Sequence, residues 1–84
     1  MVNQTTRYAL QILGYLARSD ATLVSHEQIA REVGLPANYL SKILNQLRKA
    51  GLVESRKGWG GGFQLQADAG QRPIRDVLVV FDGL

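Results

Sequence analysis

The chain has 84 residues, 45% of them hydrophobic and 20% charged, with no Cys and a formal net charge of +3. That describes one small folded domain: too apolar to remain disordered, a poor frame for a deep enzymatic cleft, and without thiols for a disulfide framework, a thiolate metal site or a cysteine nucleophile. No apolar run is long enough to span a bilayer, and the N-terminal MVNQTTRYAL lacks the continuous apolar segment of a secretory leader, so the expected location is the cytoplasm.

In chain order, Thr5 or Thr6 is positioned to cap a first helix in which Ala9, Ile12, Leu13 and Leu16 recur at helical spacing and which ends before Ser19 and Asp20. SHEQ then sets Ser25 as N-cap with Gln28 three residues on, the capping box in which each side chain satisfies the other's backbone donor. The second helix, about eight residues long, buries Ile29, Ala30 and Val33 and stops at Gly34, a residue suited to a left-handed C-terminus. Pro36 suits the first turn of a third helix, where its missing N–H would be unpaired anyway. With only Gly34 and Leu35 between them, the two helices must turn sharply, which is the helix-turn-helix arrangement.

In the third helix Leu40, Ile43, Leu44 and Leu47 form one stripe, and Gly51 closes it. Asn38, Lys42, Asn45 and Lys49 fall on the opposite face, with Ser41 beside them. That face holds amides and cations and no acid, whereas an ordinary solvated helix mixes in Glu. Such a selection suits a surface that donates hydrogen bonds and meets phosphate. Beyond it, LVESR and FQLQA read as two short strands with Leu52, Val53, Phe63 and Leu65 available for the core. Pro73 can open a last helix through Ile74, Val77, Leu78 and Phe81, although VLVVF is β-branched enough to be a strand.

The glycines of GLVESRKGWGGGFQL, residues 51 to 65, admit three readings. A P-loop needs Lys and then Ser or Thr after its glycines, but here the cations come first. A dinucleotide fingerprint starting at Gly58 needs glycine where Phe63 stands and a helix where FQLQ follows. A hairpin remains, turned by Gly60, Gly61 and Gly62, with Arg56 and Lys57 projecting near its tip. Charge supports it: residues 34 to 66 hold five cations against one anion, and the remainder holds five against six. The basic middle is where a polyanion would bind, and a cationic hairpin beside a helix in the major groove can reach the adjacent minor groove.

RYALQILGYLA (7 to 17), IAREVGLPANYLSKILNQLRKAGLVESRKGWGGGFQL (29 to 65) and PIRDVL (73 to 78) together resemble the N-terminal domain of the Rrf-two, or IscR/NsrR-type, bacterial transcriptional regulators. The resemblance covers nearly the whole chain, with NYLSKIL, LRKAGLVES and KGWGGGF as its most specific parts. It implies a mainly α fold with a small β-hairpin, a winged helix-turn-helix over residues 1 to 84, binding double-stranded operator DNA as a homodimer and acting as a repressor. By position, the resemblance makes Asn38, Ser41, Lys42 and Asn45 base-reading residues and Ser55, Arg56, Lys57 and Gly58 wing contacts. It places Arg7 and Tyr39 for phosphate contact. The family often adds a long dimerisation helix and a cysteine-bearing segment that holds an iron-sulfur cluster. This chain stops at Leu84 before both, so no cofactor is expected in it unless a longer natural chain supplies cysteines.

Residue chemistry refines these expectations. Asn38 and Asn45 can donate and accept at the adenine N6/N7 edge, or serve as solvated or capping amides, while Lys42 and Lys49 suit phosphate neutralisation. Tyr39 is expected to be partly packed with its hydroxyl free. Trp59 is expected either to pack back on the hairpin or to meet DNA or a partner chain. His26 reads as a surface or capping residue, since Ala30 occupies the position where an HExxH zinc site needs a second histidine. Nothing supports an enzyme. The competing class is a winged-helix module that presents the same faces to another protein.

Overall fold

The computed structural model describes residues 3–66 and Phe81. The expected C-terminal helix or strand therefore lies outside the described residues except at Phe81. The chain runs α1 (Gln4–Arg18), α2 (His26–Val33), α3 (Ala37–Lys49), β1 (Val53–Arg56) and β2 (Gly62–Leu65).

Helix α1 begins earlier than either threonine allows. Asn3 is the N-cap, and its Oδ1 accepts the Thr6 N–H at 2.8 Å. Asparagine supplies the same capping acceptor as a threonine hydroxyl. Starting two or three residues sooner lets Thr6 join Ala9, Ile12 and Leu16 on the buried face, while Leu13 is half-buried. The Asn3 Nδ2 donates to the Phe81 carbonyl at 3.1 Å, joining residues 78 positions apart.

At α2 the capping box forms only in half. Ser25 Oγ accepts the Gln28 N–H at 3.1 Å, but Gln28 Nε2 reaches sideways to the Tyr15 hydroxyl at 2.8 Å and ties α2 to α1. The helix ends at Gly34, whose φ of 76° is left-handed, and only Leu35 and Pro36 precede α3. Pro36 is the N-cap of α3, one residue before the expected first turn. Gly51, with φ 77°, closes α3 by donating to the Arg48 carbonyl while Leu52 N–H reaches Leu47 O, each at 3.0 Å. Two otherwise orphaned helix carbonyls are thereby satisfied, and the chain is turned into β1.

Strands β1 and β2 pair antiparallel, with Val53 opposite Leu65 and Arg56 opposite Gly62. A third segment, absent from the sequence reading, joins them: Val24 N–H donates to Phe63 O at 2.9 Å, and Phe63 N–H donates to Val24 O at 2.8 Å. One core then fills the space between the helices and the hairpin. Ile12, Ile29, Leu40, Leu47 and Val53 are completely buried, with Val24, Ile43, Leu44 and Leu52 nearly so. Burying each such side chain contributes about 1.5 to 3 kcal/mol. Among the described residues, three helices with a pendant two-stranded hairpin make this a winged helix-turn-helix, as the family resemblance implied.

Candidate nucleic-acid interface

Helix α3 buries its stripe of Leu40, Ile43, Leu44 and Leu47, which leaves the opposite face to solvent. On that face Ser41, Asn45 and Arg48 follow one another at i, i+4 and i+7, and all three are exposed. Together with Ser55 and Lys57 of the hairpin they line a single surface depression, floored by Leu44 and Phe63 and flanked by His26. A polar stripe of the helix and a cationic edge of the wing therefore form one continuous surface. Lys42 stands just beyond it, in a neighbouring depression with Thr5, Tyr39 and Gln46, and Asn45 borders both. Lys42 and Lys57 thus flank Asn45 from two sides and do not share a depression.

Local hydrogen bonds decide what each side chain has left to offer. Asn38 Oδ1 accepts the Tyr39 N–H at 3.0 Å, so its carbonyl serves the open N-terminus of α3, the capping role weighed in the sequence. Asn45 Oδ1 accepts from Arg48 Nη2 at 2.7 Å, which leaves the amide nitrogen as the outward donor. Ser41 Oγ donates to the Ala37 carbonyl at 3.0 Å and lies 2.9 Å from His26 Nε2.

Tyr39 is half-buried as expected, edge-on to Tyr8 with ring centroids 5.8 Å apart, but its hydroxyl is not free. It is hydrogen-bonded to Thr5 Oγ1 at 3.0 Å, because the ring packs against α1 and carries the phenol oxygen to that helix's first turn. Lys49 is exposed in the last turn of α3, and Arg7 is exposed on α1 without lining either depression.

In the hairpin Ser55, Arg56, Lys57, Gly58 and Trp59 are all exposed. Gly58 and Gly60 take φ of 94° and 70°, conformations costly for any residue with a Cβ. Gly61 is held by proximity instead. A Cβ there would fall 2.2 Å from the Arg56 carbonyl oxygen. Trp59 does not pack back on the hairpin; its relative exposure is 106%. Strands of four residues offer the indole no facing surface, and the flanking left-handed glycines aim it away from the fold.

Two residues that line this depression escaped the sequence reading. Arg48 sits seven residues after Ser41, so the helical period that selected Asn45 also selects it. His26 is half-buried and tilted against Phe63 with centroids 6.4 Å apart; its contact with Ser41 spans 15 residues and had no local signal.

The family model Rrf2, described as an iron-dependent transcriptional regulator, matches residues 2–84. An HTH-type transcriptional regulator of Aquifex aeolicus is 39% identical over 79 residues, covering 94% of this chain and 55% of its own length. IscR of Cronobacter sakazakii is 36% identical over 77 residues, covering 90% of this chain and 48% of its own length. The chain thus spans about half the length of these curated relatives.

Among solved structures, T. potens IscR superposes with a TM-score of 0.83 at 33% identity, over 95% of this chain and 59% of that one. CymR, described as the global cysteine regulator of B. subtilis, does so with a TM-score of 0.81 at 29% identity, over 100% of this chain and 66% of that one. The sequence has no Cys, and among the described residues no three His, Cys, Asp or Glu converge to hold the iron of the family description. Also among the described residues, no helix is long and apolar enough to cross a membrane. By residues, fold and relatives together, this chain belongs to the Rrf2 family of transcriptional regulators.

Proposed function

We propose that the chain binds double-stranded DNA in a sequence-specific manner, as the DNA-binding part of a bacterial transcriptional regulator that acts as a homodimer. Helix α3 enters the major groove, and the hairpin reaches the neighbouring minor groove. The observation that carries this reading is the shared depression in which Ser41, Asn45 and Arg48 of α3 meet Ser55 and Lys57 of the wing. One duplex can engage both elements at once. Lys42, Lys49, Arg56 and Lys57 neutralise phosphate or the concentrated negative potential of a narrow groove. The outward amides of Asn38 and Asn45 donate to base or phosphate acceptors, and Ser41 lies between them. Arg7 and the edge of Tyr39 extend the surface along α1 towards the backbone, and Gly58 lets the hairpin backbone approach closely.

Titration with a duplex at two salt concentrations tests the reading. A steep fall in affinity with salt is expected, and Lys42→Ala and Arg56→Ala should each weaken binding and reduce the salt slope by about 1. Neither should lower the melting temperature, because both side chains are exposed. Unchanged affinity at low salt in both variants would exclude this surface. Salt-insensitive capture of a protein in place of DNA would favour the protein-interaction module. A homodimer also requires an operator with two-fold symmetry, which a footprint would show.

A further inference from the structure

The interface contains one hydroxyl whose hydrogen-bonding capacity is already assigned. Ser41 Oγ lies 3.0 Å from the Ala37 carbonyl oxygen and 2.9 Å from His26 Nε2. A carbonyl only accepts, so the single hydroxyl proton of Ser41 goes to Ala37. Ser41 must then accept from His26, and the imidazole carries its proton on Nε2. A serine hydroxyl has one proton and two lone pairs. With the proton on Ala37 and one lone pair on His26, what remains for a ligand in the depression is one acceptor.

His26 is well placed to hold this state. It is half-buried at the start of α2, its ring rests against Phe63 of the wing, and it lines the depression together with Ser41, Asn45 and Lys57. Removing the imidazole frees Ser41 to leave its rotamer, abandon Ala37 and turn its proton outwards.

Resting on the duplex-binding reading above, we propose that His26 is a positioning residue that makes Ser41 an acceptor-only reader of the major groove. In that groove adenine N6 and cytosine N4 offer donors, whereas guanine O6 and N7 and thymine O4 offer only acceptors. Ser41 therefore favours adenine or cytosine at the position it faces and disfavours guanine and thymine. His26 reads no base itself. It specifies through the hydroxyl it holds, and α2 thereby shares in the recognition done by α3.

Two measurements test this separately from DNA binding as such. His26 is the only histidine in the chain, so long-range nitrogen-15 NMR of the free protein in mildly alkaline buffer reports its tautomer directly. Protonation on Nε2 is expected, and a ring protonated only on Nδ1 overturns the proposal whatever the DNA result. The second is selection from a randomised duplex pool with the wild-type chain, His26→Ala, His26→Gln and Ser41→Ala.

The wild type should enrich adenine or cytosine over guanine and thymine at one position by about fivefold, the lower end of the range for a base contact. Both His26→Ala and Ser41→Ala should flatten that position alone, and His26→Gln, which keeps a side-chain N–H donor, should restore part of the preference. Preference at every position unchanged in His26→Ala or in Ser41→Ala overturns the inference while leaving duplex binding intact. A wild-type chain that enriches no sequence removes the functional reading and this inference with it. Ser41 is exposed, so its variant serves even if His26→Ala does not fold.

Discussion

At the scale of single residues, the wing tip is set by what glycine lacks. Gly61→Ala would place a methyl 2.2 Å from the Arg56 carbonyl oxygen, so the turn must open. Its cost is expected at about 1 to 3 kcal/mol, the range for local backbone strain. Hydrogen exchange should quicken at the Phe63 and Val24 amides that pair across this region, while helical circular dichroism stays as it was. Trp59 offers a cleaner report because it is the only tryptophan and fully exposed. Duplex binding should shift its emission to the blue and shield it from acrylamide. A complex in which the emission does not move would mean that the tip stays in water. Neither the rejection of a P-loop nor the choice of a hairpin needed coordinates, since both turned on which residues neighbour the glycines. The orientation of Trp59 did need them, because an indole between two left-handed glycines obeys backbone angles that residue order does not display.

Among the elements, the passage from α3 into β1 is what aims the wing. Gly51 is left-handed at φ 77°, and its N–H and that of Leu52 satisfy the Arg48 and Leu47 carbonyls at the end of α3. Gly51→Ala should cost about 1 to 2 kcal/mol, read as a lower denaturant midpoint at unchanged slope. It should weaken DNA binding beyond what the lost stability explains, because the hairpin is re-aimed. The three helices and both strands were legible because each carries its own period, cap or stop signal: the Leu40 to Leu47 stripe, Ser25 before α2, and Gly34 and Gly51 after their helices. Contacts between elements were not. Gln28 leaves its capping box for Tyr15, and Val24 joins the sheet from a segment with no strand pattern. Both are tertiary choices in which a distant partner outcompetes the local one. The candidate interface followed the same rule: helical spacing found Asn45 and could have found Arg48, but His26 reaches Ser41 only through folding.

For the molecule as a whole, the contact at Asn3 has the widest reach. Its Oδ1 caps α1 and its Nδ2 holds the Phe81 carbonyl, so Asn3→Ala removes both, whereas Asn3→Asp keeps the cap acceptor and loses the donor. Loss of the cap is expected to cost about 1 kcal/mol. Asn3→Asp should therefore unfold at a higher denaturant concentration than Asn3→Ala, and equal midpoints would show that the cap contributes nothing. The same first turn carries Thr5, which grips the Tyr39 hydroxyl on the edge of α3. A single amide thus works like a buckle. It fastens the Phe81 carbonyl to the opening turn of α1, and one hydroxyl pair from that same turn fastens α3.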